Sequence, residues 1–364
     1  MFKKTDPNPQ LDIFTAPSMQ LGSRASKKYS DPNAWHNQFY SLVTTKIDEE
    51  IFKPLFPEGK KSGRPNASIR ILVAMSVLKE GFGCSDEDLF EKCEFDLLTR
   101  KALGMELLTD VTPSIDTYYL FRRRICEYQE RTGIDLMQLC FEQLAGKHVH
   151  LLKISGKCVR MDSKLIGSNI ARQSRYELIH TTLVKFLKTC TLTHLSPEQE
   201  ERAKEYLKED SSKTVYRSDS DTLQSNLARI GNFIMEMLAV FPATSPAHDL
   251  LLRLFEEQYV VMDGKAVLRD KKEVKADSLQ NPNDPDATYR AKNDQKVQGY
   301  VTNITETVEE GKPNIITSVQ VETAVFADCH FLQEAVENSE RVTDSTIEDL
   351  YADGAYQSPD NREF

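Results

Sequence analysis

No stretch of these 364 residues approaches 18 uncharged apolar positions in a row, so no membrane-spanning helix is expected. The first residues, MFKKTDPNPQLDIF, carry two lysines but no long apolar run after them, and no secretory signal peptide is expected. The seven cysteines, at 84, 93, 126, 140, 158, 190 and 329, include no C-x-x-C pair. Scattered and odd in number, they fit reduced thiols in a cytoplasmic protein. A zinc site needs clustered Cys and His; the nearest approach is His148-x-His150, at a position that also reads as a polar helix end. Excess positive charge is lacking too. A formal net charge of −10 argues against a general nucleic-acid coat protein, although local clusters still set the field close to a phosphate. The first 130 residues are close to neutral and most of the excess acid lies beyond them.

What is present is enough for packed cores. The chain is 40% hydrophobic and 9% aromatic, which excludes global disorder, and its length allows two domains. Residues 1–33 are polar and read as a flexible arm. From Ala34 the character changes. WHNQFYSLVTTKIDEEIF has apolar residues close to helical spacing, and SIRILVAMSVLKEGFG is apolar nearly all round, as a central buried helix would be. Ser85-Asp86-Glu87-Asp88 reads as a capping box that opens another helix. Further helices follow near 96–103, over IDTYYLFRRRICEYQERTG and over IDLMQLCFEQLAGK. Residues 34–150 are therefore expected to form an all-helical domain.

At Gly156 the period changes. KCVRMDSKLIGS alternates, with Val159 and Met161 on one side and Arg160, Asp162 and Lys164 on the other. A helical insert is expected over about 176–260. Two β-branched runs joined at Glu310-Gly311-Lys312-Pro313 read as a hairpin; a helix over 327–338 and the short strand LYAD follow. The fold class is α+β, with residues 151–364 forming the β-containing part.

Two constellations carry chemistry. Asp162 lies mid-strand and Asp353 at a strand tip. If their strands are neighbours, the carboxylates converge, and converging carboxylates call for a hard cation such as Mg²⁺. Two such ions about 4 Å apart serve phosphoryl transfer. The plainer reading of Asp353-Gly354 is a turn. The second constellation is Arg122-Arg123-Arg124 on a helix whose Tyr118, Phe121 and Ile125 face a core. Those arginines could meet DNA phosphates, or form a solvated face paired with Glu127 and Glu130. Lys60, Lys61 and Arg64 make a second basic patch.

GRPNASIRILVAMSVLKEGFGCSDEDLFEKCEFDLLTRKALGM with TPSIDTYYLFRRRI resembles the InsH-type N-terminal domain of bacterial insertion-sequence transposases. KCVRMDSKLIGSNIARQSRYELI, DPDATYRAKNDQKVQGYVTNITETV and LYADGAYQSPDN resemble that family's catalytic blocks in the same order. The resemblance implies a helical DNA-binding domain followed by an RNase H-like DDE domain, with Asp162 and Asp353 as the first two acids around Mg²⁺ or Mn²⁺. It implies double-stranded DNA, element ends and target, as partner, and leaves a homo-oligomer open. It also implies a last acid, a glutamate on a later helix. Only Glu363 follows Asp353, so a C-terminally truncated, incomplete catalytic domain without activity is expected. The alternative is a non-catalytic, DNA-binding transposase remnant.

Overall fold

The computed structural model describes residues 2, 4, 17–56, 66–242, 245–292 and 295–364. The chain is a mixed α+β protein and divides into two compact units: 1–159 with 306–318 and 337–350, and 160–305 with 319–336 and 351–364.

In the first unit the helices are α1 (Pro17–Gln20), α2 (Ser23–Tyr29), α3 (Trp35–Leu42), α4 (Ile69–Phe82), α5 (Asp86–Phe95), α6 (Leu97–Leu103), α7 (Ile115–Thr132) and α8 (Leu136–Leu152). Their limits follow local chemistry. Ser68 Oγ accepts the N–H of Ile71 and opens α4, and Gly83, at φ 61°, ends it in the left-handed conformation that glycine adopts without penalty. Ser85 and Asp88 close a reciprocal capping box at α5. Helix α4 buries Ile69, Leu72, Val73, Ala74, Met75 and Leu78 among Phe52, Leu89, Leu103, Tyr118 and Phe121. Each large apolar side chain so buried contributes about 1.5–3 kcal/mol.

Three features depart from the pattern of the sequence. Residues 23–29, inside the expected arm, form α2 with Tyr29 buried. The helical spacing that runs on to Ile51 breaks at Leu42, where β-branched Val43, Thr44 and Thr45 follow. Thr44 Oγ1 there donates to the buried carbonyl of Ala102 at 2.7 Å, and the chain continues in 3-10 turns over Thr44–Lys46 and Glu49–Leu55. Arg100 is buried without a carboxylate: its guanidinium donates to the carbonyls of Cys93 (3.0 Å), Leu107 (2.7 Å) and Asp110 (2.9 Å).

The sheet begins at β1 (Cys158–Gly167). The insert follows as α9 (Arg175–Leu187), α10 (Pro197–Lys208), α11 (Ser211–Arg217), α12 (Ser220–Val240), α13 (Pro246–Gln258), β2 (Tyr259–Met262) and β3 (Lys265–Leu268). It closes a core of its own around Tyr176, Leu183, Phe233, Ile234, Leu251 and Leu254. At Gly231 the α12 backbone meets the ring of Tyr259; a Cβ there would stand 2.4 Å from a ring carbon. The β2–β3 hairpin, which follows the span expected to be helical, turns on Asp263 and Gly264, both at positive φ. Asp-Gly between β-branched runs is the signal for such a turn. Arg175, at the first position of α9, donates to Gln258 Oε1 (2.7 Å), to the Gln258 carbonyl (3.2 Å) and to the Arg269 carbonyl (2.9 Å).

The chain then forms β4 (Thr288–Lys292), β5 (Gln295–Thr307), β6 (Ile316–Thr323), α14 (Leu332–Thr343), β7 (Asp349–Tyr351) and α15 (Pro359–Glu363). The sheet order is β4-β5-β1-β7, with β6 also paired to β5. The expected hairpin forms: the Thr307 N–H donates to the Ile315 carbonyl at 2.9 Å, and Gly311 turns at φ 76°. Gly299 on β5 pairs with Thr288 on β4 and passes so close to β1 that a Cβ would lie 2.2 Å from the Ile166 carbonyl oxygen. Among the described residues no helix is long and apolar enough to cross a membrane.

Candidate functional site

On β1 the alternation of burial is as the residue types dictate. Val159 and Met161 are buried, while Arg160, Asp162 and Lys164 are exposed. Asp162 Oδ1 accepts the N–H of Ser163 at 2.8 Å. Asp353 follows β7, is exposed, and its Oδ1 accepts the N–H of Ala355 at 2.8 Å, capping the 3-10 turn Gly354–Tyr356. The turn reading of Asp353-Gly354 thus describes the local structure. It leaves the second carboxylate oxygen of Asp353 outside that bond. β1 and β7 are hydrogen-bonded neighbours in the sheet.

The turn after Asp353 carries Tyr356, which is buried and donates to Asn303 Oδ1 on β5 at 2.7 Å. Burial pushes its phenol up to about 12, the hydroxyl of Ser163 works in the opposite direction, and the charges of Asp328, Asp162 and Asp353 add to the rise. One phenol therefore lies within electrostatic reach of both sequence-predicted acids. It also reaches a third, Asp328, which no motif or spacing marks. Asp328 is buried, with Arg290 Nη1 3.6 Å from its Oδ1. The same Arg290 nitrogen donates to the carbonyls of Ala324 (3.3 Å) and Phe326 (3.1 Å).

The donor set at Asp162 and Asp353 suits a hard cation. Both are carboxylates, both are exposed, and neither has a cationic partner among the described residues. Mg²⁺ is commonly held by one or two carboxylates, with waters and substrate phosphate oxygens completing its shell. Among the described residues there is no group of three or more His, Cys, Asp or Glu side chains placed to hold a metal ion. His148 Nε2 lies 2.8 Å from the Leu42 carbonyl, which accounts for that histidine locally.

The basic constellation sits on α7 with Tyr118, Phe121 and Ile125 buried beneath it. Arg122 is exposed, with Nη1 3.9 Å from Asp86 Oδ1 and its guanidinium 5.6 Å from the Tyr118 ring centroid. Arg123 Nε is 3.6 Å from Glu127 one turn on. Asp86 is shared further: Tyr119 Oη donates to its Oδ2 at 3.0 Å, and Lys79 Nζ lies 3.7 Å from Oδ1. Arg124 lies 5.7 Å from the Phe56 ring centroid and lines a cavity of about 530 Å³ together with Ser68 and Ser114, the N-caps of α4 and α7. The exposed pair at Arg123 is worth only about 0–1 kcal/mol, so competition from a phosphate would cost little. Lys60, Lys61 and Arg64 lie outside the described residues.

Together these features describe an α+β protein with a helical basic region and a sheet in which one acid lies on a strand and the other just beyond its neighbour. Residues 28–124 match the family described as Transposase domain (DUF772). No curated protein and no solved structure matches the chain.

Proposed function

We propose that this chain acts in DNA transposition: the helical region 34–150 binds double-stranded DNA, and residues 151–364 belong to an RNase H-like domain of the DDE type. The observation that carries this reading is the transposase-domain match at 28–124. In this reading Arg122, Arg123 and Arg124, with Lys60, Lys61 and Arg64, contact phosphates more than bases.

Asp162 and Asp353 would hold Mg²⁺ or Mn²⁺. Bound there, the ion would supply charge neutralisation at a phosphate undergoing in-line displacement. The adjacency of β1 and β7 and the common neighbour Tyr356 support this assignment. Two carboxylates hold one ion and hold a second one poorly. The third nearby acid, Asp328, has Arg290 beside it. On this reading the 364-residue chain binds DNA and metal but does not cleave DNA, which favours the non-catalytic DNA-binding function over an active enzyme.

The test is Mn²⁺ binding followed by electron paramagnetic resonance, with duplex binding and cleavage measured in parallel. Asp162→Asn and Asp353→Asn should each weaken Mn²⁺ binding at least tenfold. Unchanged affinity in both variants removes the metal assignment, and Mg²⁺-dependent cutting by the unmodified chain removes the inactivity.

A further inference from the structure

Helix α2 carries three cations in seven residues: Arg24, Lys27 and Lys28. Positions i, i+3 and i+4 share one helix face. All three side chains are exposed, and among the described residues none forms an ion pair. Asp31, the nearest carboxylate along the chain, accepts the Asn33 N–H at 2.9 Å instead. The contrast with α7 matters, because Arg122 and Arg123 already face Asp86 and Glu127.

The helix is anchored and not a loose tail. Tyr29, its last residue, is buried and stacks on His36 with ring centroids 5.9 Å apart. The Tyr29 carbonyl accepts from Asn37 Nδ2 at 2.8 Å and lies 2.9 Å from His36 Nε2. Lys101 Nζ sits 5.9 Å from the Tyr29 ring centroid. Cations held on an anchored helix lose less freedom on binding than the same cations on a flexible arm. With no ion pair among the described residues, they displace no carboxylate there when an external anion arrives.

We infer that α2 is a contact surface for the phosphate backbone of duplex DNA, with Arg24, Lys27 and Lys28 as the contacting groups. The inference rests on the DNA-binding reading above and adds to it a surface outside the arginine cluster and the basic patch. Contacts to phosphate set position and carry no base sequence, so the surface should serve any duplex.

The experiment uses the full chain and a fluorescein-labelled duplex of arbitrary sequence, with anisotropy measured over a series of KCl concentrations. Each phosphate contact contributes about 0.9 to the slope of log K against log salt, so combined Arg24→Ala, Lys27→Ala and Lys28→Ala should lower the slope by about 2 to 3. At low salt the triple variant should bind about tenfold or more weakly, with an unchanged thermal melt. The more conservative Arg24→Lys should keep the slope. An unchanged slope in the triple variant, while the parent chain binds with strong salt dependence, overturns the inference and leaves the DNA-binding reading intact. No salt-dependent binding by the parent chain overturns both.

Discussion

Tyr356 reaches across 53 positions of chain to Asn303, donating a 2.7 Å hydrogen bond to a side chain with no exposed surface. Asn303 passes the connection on: its Nδ2 donates to Gln320 Oε1 at 2.9 Å, and Gln320 Nε2 donates to Glu334 Oε2 at 2.9 Å. The turn that follows Asp353 is thereby tied through β5 and β6 to α14. Tyr356, Asn303 and Gln320 are buried, and buried polar groups are favourable only while each is paired.

Tyr356→Phe keeps the ring and removes the donor, leaving Asn303 Oδ1 buried without it. The expected cost is about 1–3 kcal/mol, read as a lower midpoint in urea unfolding. Because the same turn presents Asp353, Mn²⁺ binding should weaken several-fold in the folded variant. A variant with the parental midpoint and parental metal affinity would show that the bond holds neither the fold nor the carboxylate.

Gly299→Ala tests how β5 passes β1. The added methyl would have to occupy space 2.2 Å from the Ile166 carbonyl oxygen and 2.5 Å from the Ser168 nitrogen. Both are backbone atoms and cannot rotate away. Overpacking of this kind costs about 1–3 kcal/mol or more, so the thermal midpoint should drop and the sheet amides should lose hydrogen-exchange protection. Gly167→Ala, where nothing lies within 4 Å of the new methyl, serves as the neutral comparison.

Arg100 should be a sensitive charged position of the first unit. Replacing it with Lys exchanges a planar fork for a single ammonium that cannot reach three diverging carbonyls. Loss of two or more of these charge-assisted bonds should destabilise the chain by about 3 kcal/mol. Equal urea midpoints for the two proteins would contradict this.

His180 predicts a pH dependence. Burial lowers its pKa from the ordinary 6.5, and the Glu209 carboxylate and the Tyr206 carbonyl offset this only in part. The unfolded ring takes up a proton near its ordinary value while the folded ring resists it. The unfolded state therefore binds more protons below that pH, and stability present above it falls progressively toward the folded pKa. Glu177 and Asp219 are held below their ordinary values of 4.5 and 3.8, so their contribution is lost only at more acidic pH. Urea unfolding at about pH 7 and pH 5.5 should show a larger loss for the parent chain than for His180→Gln. Parallel losses in the two proteins would assign the pH dependence elsewhere.

Much of the helical unit was legible because its signals are local. The apolar run of α4, the capping box at Ser85 and the core face Tyr118, Phe121 and Ile125 all lie within a few residues of one another. The exposed position of Asp162 could be read from strand alternation alone. Other features escaped for physical reasons. Residues 23–29 look polar and arm-like because a single buried ring, Tyr29, secures the helix. Arg100 reads as one more surface cation, since backbone carbonyls leave no mark on side-chain pattern. The link from Tyr356 to Asn303 and the arginine beside Asp328 join segments far apart in the chain, and spacing does not encode them. The Asp263-Gly264 turn is local, but the helical period that runs to Gln258 directly before it masks its two short strands.

Arg175 gives the insert an unusual kind of independence. Its guanidinium gathers the start of α9, the end of α13 and the residue after β3 at one point, so the segment leaves and rejoins the chain at nearly the same place. A loop pinched at its neck can be lengthened, shortened or exchanged by recombination without altering where the strands on either side must go. Such an exchange should leave the strands in place only where the replacement also covers Leu279, which packs in the insert's core, and supplies a donor to the Asp277 and Pro285 carbonyls that Arg253 holds.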